Sequence, residues 1–293
     1  MGSWERRKDE LGKEVTQIAY RDGIIETIFN TTDPSKREKG WILKNGTNSI
    51  YFINLRKAGN SPEFTAKAGK ALGYMIKEEA KDLEVLIGVD MAGIPIVSAI
   101  SSGAYVHSKG KISIPWGYTR PLPPKENGED VRTVEEAVSV LELFKQGKVS
   151  GKKWGSHRLV EAEFHNNMVV GIGDDMITDA GSKLIAGTVI NYEIASRGLS
   201  DVKTKYVVVV MDREQGGREA LVQKELELLA LIPMKTKGFK WLEGAMPGEQ
   251  YEHILRFANQ SELYQDIGRD PKVDKNKGQS SEYMQKALDL AKV

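Results

Sequence analysis

The sequence contains no cysteine and only four histidines, and these absences exclude several kinds of site. Without cysteine the chain cannot form disulfides, use a thiol nucleophile or bind a metal through thiolates. The histidines are not spaced as metal ligands, so a histidine-rich metal site is not expected. The lack of cysteine is compatible with a reducing compartment, and we expect a cytoplasmic protein.

The sequence also lacks an excess of charge of one sign and has no long apolar runs. The 42 Lys and Arg residues balance 41 Asp and Glu residues and leave a net charge of +1, which gives no whole-chain attraction for nucleic acid or an anionic membrane. No apolar run approaches the length that spans a membrane, and the highly charged residues 1–14 lack the apolar segment of a signal peptide. We therefore expect neither a nucleic-acid nor a membrane partner.

The most informative stretch is an apolar run, residues 168–172, followed by the adjacent carboxylates Asp174 and Asp175. The run predicts a buried parallel strand, and the small residues 178–182 predict a turn into a helix that ends near residue 197. Backbone N–H groups at such a helix start suit a phosphate, and the carboxylates suit the hydroxyls of a sugar. Alternatively, the acidic pair only caps the helix or binds Mg²⁺ in another α/β enzyme.

Strands and helices alternate along most of the chain, which favours a parallel, doubly wound sheet. Residues 3–30 predict one or two amphipathic helices, and residues 41–56 predict a hairpin that turns at Asn45-Gly46. Strands are predicted over residues 83–87, 111–118, 168–172 and 206–211. Helices are predicted over residues 61–80, 96–105, 183–197, 218–229, 249–263 and 281–292.

The pattern changes between Arg120 and His157. A loop over residues 121–130 is followed by a predicted helix over residues 133–146 and by a basic, Gly-rich segment over residues 147–155. Two interpretations stay open for this long excursion. It is either a surface loop with a small helix packed on the body, or a lid over a site.

The central stretch resembles the ribose-phosphate signature of the type I phosphoribosyltransferases. Further segments resemble orotate phosphoribosyltransferase in the same order, and especially the version within eukaryotic UMP synthase. They correspond to an orotate-holding segment at residues 43–56, a pyrophosphate loop at residues 88–95, a mobile catalytic loop at residues 152–161 and a strand end at residues 211–217. Ordered matches of this kind are more specific than any single motif.

The resemblance implies a type I phosphoribosyltransferase-like α/β fold. In this fold a central, mainly parallel sheet with flanking helices carries an N-terminal helix and hairpin hood, and here a helical C-terminal extension. Residues 1–232 would form the phosphoribosyltransferase domain, with a long catalytic-loop insertion at about residues 121–156. Residues 233–293 would form the extension.

The implied reaction transfers the 5-phosphoribosyl group from phosphoribosyl pyrophosphate (PRPP) to orotate, giving orotidine 5′-monophosphate and pyrophosphate. Mg²⁺ would be bound mainly through the pyrophosphate, with no metal ligands assigned on the protein. Catalysis would rest on positioning and on stabilising the departing anion. The resemblance also implies a homodimer in which the catalytic loop is shared between subunits. Alternative functions are transfer to another base, or sensing of a ribose phosphate or nucleotide without turnover.

By the resemblance, Asp174 and Asp175 hold the ribose hydroxyls, and Lys152 is the catalytic residue of the loop. The residues implied to bind the 5′-phosphate are Thr178, Asp179, Ala180, Gly181 and Ser182. Those implied to meet pyrophosphate are Arg120 and Lys153, beside Lys152, and those implied to face the base are Lys44, Tyr51 and Phe52. Asp179 and Ala180 depart from the family, which has a small hydroxyl residue and glycine there, and Ala180 matters if that backbone needs a positive φ.

Simpler alternatives exist for several of these residues. Lys152 and Lys153 are alternatively a solvated pair, and Lys44 alternatively an exposed lysine at a hairpin tip. Tyr51 and Phe52 are alternatively core residues, although a strand directs them to opposite faces, so that at most one need be buried. Arg213 belongs to the strand-end segment at residues 211–217, and it either serves the site or simply pairs with a neighbouring carboxylate.

Overall fold

The computed structural model describes residues 2–43, 46–149, 158–268 and 278–292. Within these residues none of the helices is long and apolar enough to cross a membrane. The helices and strands, in chain order, are α1 (Ser3–Arg21), β1 (Ile25–Thr27), α2 (Pro34–Lys39), β2 (Trp41–Ile42), β3 (Asn48–Ser49), β4 (Tyr51–Ile53), α3 (Pro62–Glu79), β5 (Val85–Gly88), α4 (Gly93–His107), β6 (Trp116–Thr119), α5 (Val134–Lys145), β7 (Val160–Glu161), β8 (Val169–Ile177), α6 (Gly181–Ser196), β9 (Lys203–Asp212), α7 (Gly217–Val222), β10 (Glu227–Pro233), α8 (Gly248–Asn259) and α9 (Glu282–Ala291).

The main sheet has six strands in the order β10-β9-β8-β5-β6-β7. The first five of this order run parallel, and the short β7 pairs antiparallel with β6 at the edge. Residues 206–211 of β9 are all buried, as expected for a strand covered on both faces. The predicted α/β fold with a central, mainly parallel sheet is therefore confirmed.

A hydrophobic core lies between this sheet and helices α5 and α6. Helix α6 contributes Ala186, Val189 and Ile190, whose spacing places them on one face of the helix. Burying each of the larger side chains contributes about 2 kcal/mol to stability. This packing fixes the start of α6 beside the carboxyl end of β8, where the acidic pair lies.

The described part of the insertion contains the helix α5, which packs on α6, and the two interpretations of this excursion stay predictions. Thr133 and Glu136 form a reciprocal cap at the start of α5, in which each side chain accepts a hydrogen bond from the other residue's backbone N–H. The Phe144 ring meets the Tyr192 ring of α6 edge to face at 6.3 Å. On the outer side of α5, Val138 is 48% exposed.

The chain divides into two compact units. The first comprises residues 1–11 and 65–233 and contains the six-stranded sheet. The second comprises residues 12–64 and 234–293, so the hood and the C-terminal extension pack together. In it the Asn48 N–H donates to Gln265 at 2.8 Å. This grouping was not expected from the sequence, and the assignment of residues 1–232 to one domain stays a prediction.

Two predicted elements are wrong. Residues 25–27 form the strand β1, which pairs with β4, instead of continuing an N-terminal helix. The predicted helix over residues 218–229 ends at Val222, and residues 227–233 form β10. In both cases hydrogen bonding to another strand prevails over the local preference for a helix. The strand β1 pairs with β4, and β10 pairs in parallel with β9.

Candidate active site

The carboxyl ends of β5, β6, β8 and β9 lie side by side in the sheet, and each is followed by a loop of the first unit. Ligands of open α/β sheets bind at this edge, because the loops and helix starts there converge. The candidate site is therefore built from residues 89–92, 120–122, 174–183 and 213–216.

Asp174 is a buried carboxylate with a buried cationic partner. Its Oδ2 accepts a hydrogen bond from the Lys183 ammonium at 2.7 Å, and the two side chains are only 6% and 7% exposed. Its Oδ1 accepts from the Asp175 N–H at 2.9 Å. The acidic pair lies within β8, which continues five residues beyond the predicted strand end at residue 172.

Asp175 has an unusually high pKa for an aspartate. Burial of the carboxyl, and secondarily the charge of Asp174, raise its pKa from 3.8 to about 6, although the Lys183 ammonium opposes this. At neutral pH the group is therefore ionised but poorly solvated. A carboxylate in that condition favours strong hydrogen-bond donors such as sugar hydroxyls.

The turn between β8 and α6 has a left-handed residue at its centre. Ala180 has a φ of 69° and is buried, so the family's glycine position is here filled by a residue that adopts the same conformation at a cost of about 1 kcal/mol. Asp179 Oδ1 accepts a hydrogen bond from the Gly181 N–H at 3.1 Å. One of the amides that a phosphate would use is therefore already bonded to a carboxylate.

The loop after β5 approaches the acidic pair closely. A Cβ atom at Gly93 would lie 2.3 Å from the Gly173 carbonyl oxygen and 3.3 Å from Asp174 Oδ1, so only glycine fits there. The Asp90 N–H donates to the Thr119 hydroxyl at 3.1 Å, which joins this loop to the end of β6. The Asp90–Met91 peptide bond is cis.

Arg120 follows β6 and pairs with a carboxylate of β7. Its Nη2 lies 2.6 Å from Glu161 Oε1, and both side chains are about one-third exposed. A cavity of about 250 Å³ opens beside this pair. Its lining combines loop, helix and insertion residues, among them Asp90, Arg120, Leu122, Asp130, Ser182 and Ile185. The start of the insertion therefore forms one wall of the candidate site.

Arg213, at the end of β9, has an incompletely bonded guanidinium group. Its Nε is buried without a hydrogen-bond partner in the part of the chain that the structure describes, while its backbone N–H donates to the Ile177 carbonyl. The preceding Asp212 is also buried, and burial raises the pKa of its carboxyl. Because an unsatisfied buried donor is costly, Arg213 is suited to receive an anionic group.

Comparison with known proteins finds relatives that are similar in sequence and solved structures that are similar in fold. The chain is 28% identical over 196 residues to orotate phosphoribosyltransferase of Methanocaldococcus jannaschii and 23% identical over 196 residues to that of Methanococcus maripaludis. Each alignment covers 67% of this chain, and 85% and 83% of those relatives. Among solved structures, UMP synthase of Leishmania donovani superposes with a TM-score of 0.54 at 16% identity, over 85% of this chain and 42% of the other. Orotate phosphoribosyltransferase of Francisella tularensis superposes with a TM-score of 0.52 at 16% identity, over 83% and 96% of the two chains.

The chain is similar in sequence to the orotate phosphoribosyltransferases and shares their fold. No protein-family model matches it. The resemblance noted in the sequence is thereby confirmed, whereas the individual roles of its residues stay predictions.

The structure brings together the residues that the sequence predicted for a ribose-phosphate site. Asp174, Asp175 and residues 178–182 form one continuous strand, turn and helix start, and Arg120 lines the cavity that Ser182 also lines. The predictions for Lys44, Lys152 and Lys153 fall outside the described residues.

The two aromatic residues expected to face the base lie in the second unit, on opposite faces of β4 as the alternation of a strand requires. The Tyr51 ring packs edge to face against Phe239 and Phe257, at 4.9 and 5.5 Å. Phe52 is 38% exposed and stacks on Trp41 at 6.2 Å. Tyr51 is thus packed like a core residue, and Phe52 is the better candidate for a residue that contacts the base.

Two features of the site were not found from the sequence. Arg213 was considered only as part of the strand-end segment, with an ion pair as the simpler alternative and no ligand assigned to it, and Lys183 was not singled out. The sequence could have drawn attention to Lys183 because a lysine in the first turn of a helix is unusual. The helix dipole disfavours a positive charge there.

Proposed function

We propose that this chain transfers the 5-phosphoribosyl group of PRPP to a ring nitrogen of orotate and releases pyrophosphate. The observation that carries the proposal is the acidic pair, of which Asp174 is buried, joined through one turn to the start of α6, where Ser182 is exposed. The relatives named orotate phosphoribosyltransferase support both the donor and the base.

Each half of PRPP has candidate partners in the first unit. Asp174 and Asp175 accept hydrogen bonds from the ribose hydroxyls and place negative charge beside the ribose while positive charge builds on its anomeric carbon. Backbone N–H groups of the turn, with the Thr178 and Ser182 hydroxyls, bind the 5′-phosphate. Arg120, already held by Glu161, stabilises the departing pyrophosphate.

Orotate carries a carboxylate, and Arg213 is our candidate to bind it. Its buried Nε has no partner among the described residues, so a carboxylate would satisfy the guanidinium group with charge-assisted hydrogen bonds. Lys44 and Phe52 are retained as candidates for the base from the sequence, and Lys152 and Lys153 as pyrophosphate contacts.

The donors around the cavity suit Mg²⁺ that arrives with PRPP. Asp90 and Asp130 line it and offer carboxylate oxygens, the ligand type that Mg²⁺ prefers. Among the described residues no group of three or more histidine or acidic side chains could hold a metal ion alone. When bound, Mg²⁺ would neutralise charge on the diphosphate.

The proposal includes a homodimer with loop sharing and a cytoplasmic location. For the dimer, support comes from apolar side chains on the contacting elements α4 and β6, where Tyr105, Val106 and Trp116 are 56%, 68% and 39% exposed. Apolar surface of this kind is typical of an association surface.

The test is to mix purified protein with PRPP, Mg²⁺ and orotate and to follow the loss of orotate absorbance. Uracil, which lacks the carboxylate, is the matched control base. Turnover of orotate but not uracil supports the proposal. A protein that neither turns over orotate nor gains thermal stability with PRPP contradicts it.

A sensor without turnover is a second candidate, because the Asp179 carboxylate occupies the Gly181 amide. Thermal stabilisation by PRPP without turnover of any base would favour this candidate. Turnover of a base other than orotate would instead favour a phosphoribosyltransferase with another acceptor.

A further inference from the structure

Lys183 is a buried ammonium group whose three N–H donors all have acceptors. Besides the 2.7 Å bond to Asp174 Oδ2, it donates to the Met176 carbonyl oxygen and, at 3.2 Å, to the Ser182 hydroxyl oxygen. These acceptors belong to the strand that carries the acidic pair and to the first turn of α6. The side chain therefore bonds both halves of the candidate ribose-phosphate site.

A lysine at this place is unfavourable for the fold taken alone. It lies in the first turn of α6, where the helix dipole repels a positive charge, and it is removed from water. Replacing both partners of a buried ion pair by well-packed apolar residues is often neutral or stabilising, so stability of the fold is not by itself a reason for this pair. A function in the site accounts better for its presence.

The direction of the hydrogen bonds defines what Lys183 does. An ammonium group has no lone pair, so the Ser182 oxygen must be the acceptor in their bond. Ser182 is exposed, and its own O–H hydrogen then points away from Lys183. On the other side, Lys183 and the Asp175 N–H together fix both oxygens of Asp174.

We propose that Lys183 is a positioning residue for the ribose 5-phosphate part of the substrate. It holds the Asp174 carboxylate in place for the ribose hydroxyls and turns the Ser182 hydrogen outward for the 5′-phosphate. This inference rests on the proposed function and adds a determinant of ribose-phosphate recognition to it.

The test compares Lys183→Met with the wild type for binding of ribose 5-phosphate and of pyrophosphate, by calorimetry. Loss of two oriented hydrogen bonds predicts roughly tenfold weaker binding of ribose 5-phosphate, with pyrophosphate binding unchanged. In turnover assays the KM for PRPP should rise more than kcat falls. The control is Lys205→Met on β9, outside the site, which removes a more exposed ion pair with Asp82.

Ser182→Ala gives a second measurement that does not depend on the folding of Lys183→Met, because Ser182 is exposed. It should weaken ribose 5-phosphate binding but not pyrophosphate binding. Since Lys183 acts partly through Ser182, the two substitutions should be less than additive in the double variant.

Wild-type affinity for ribose 5-phosphate in either single variant would overturn the inference, as would equal loss of both ligands or strict additivity. These outcomes are distinct from failure of the proposed function, which would appear as a wild-type protein that binds neither PRPP nor ribose 5-phosphate.

Discussion

Replacing Asp175 with Asn should stabilise the protein while impairing its activity. The carboxyl has a pKa of about 6 in the folded chain and 3.8 as its ordinary value, so the folded state disfavours the ionised form. A difference of this size corresponds to about 3 kcal/mol when the group is ionised in both states. Because solvent still reaches part of the carboxyl, we expect the asparagine variant to gain about 2 kcal/mol at pH 8.

The gain should depend on pH in a defined direction. As the pH falls through 6, the folded wild type takes up a proton that the unfolded chain accepts only near pH 4, and its stability relative to the variant recovers. The advantage of Asp175→Asn should therefore be complete above about pH 7, roughly halved near pH 5 and nearly absent at pH 4.

Urea unfolding of both proteins at several pH values measures this difference directly, and it removes contributions that they share, such as the raised pKa of Asp212. In the same series, ribose 5-phosphate binding by the wild type should weaken below pH 6, because the protonated carboxyl loses acceptor capacity. A stability difference that is constant from pH 4 to pH 8, or a variant that is less stable at pH 8, would refute the reasoning.

Three further substitutions test other parts of the site. Asp179→Ser removes the carboxylate that is bonded to the Gly181 amide, together with its negative charge. PRPP should therefore bind roughly tenfold more tightly, as measured by calorimetry. Unchanged affinity would contradict the proposed role of the turn in binding phosphate. Gly93→Ala introduces a methyl group 2.3 Å from the Gly173 carbonyl oxygen, so the free energy of unfolding in urea should fall by more than about 2 kcal/mol. A urea midpoint equal to that of the wild type would show that this close approach does not constrain the loop. Arg213→Met should raise the KM for orotate at least roughly tenfold while PRPP binding stays unchanged, and a parallel loss of both would remove Arg213 from the base site.

The strand, turn and helix of the central site could be predicted from the sequence because their signals are local. An apolar run, two carboxylates and a small-residue turn need no knowledge of the rest of the chain. The concern about Ala180 was likewise local, and its φ of 69° shows that the position does require the left-handed conformation.

Elements that depend on distant partners were missed or misassigned. The segment that forms β10 begins Glu-Leu-Leu-Ala-Leu, all residues that favour helices, and it becomes a strand because β9 offers a parallel ladder. The contact between Lys183 and Asp174 likewise joins side chains nine residues apart across a turn. Spacing alone gives no indication of such a pair.

The outward face of α5 has a practical consequence for spectroscopy. Because the chain contains no cysteine, a thiol introduced at Val138 would be the only one to react with a spin label or dye. A second thiol at Val222, which is 65% exposed on α7 of the same unit, would complete a labelled pair. The distance between the two labels would report the position of the insertion helix against the sheet-bearing unit in the presence and absence of added PRPP, with no native cysteine to remove first.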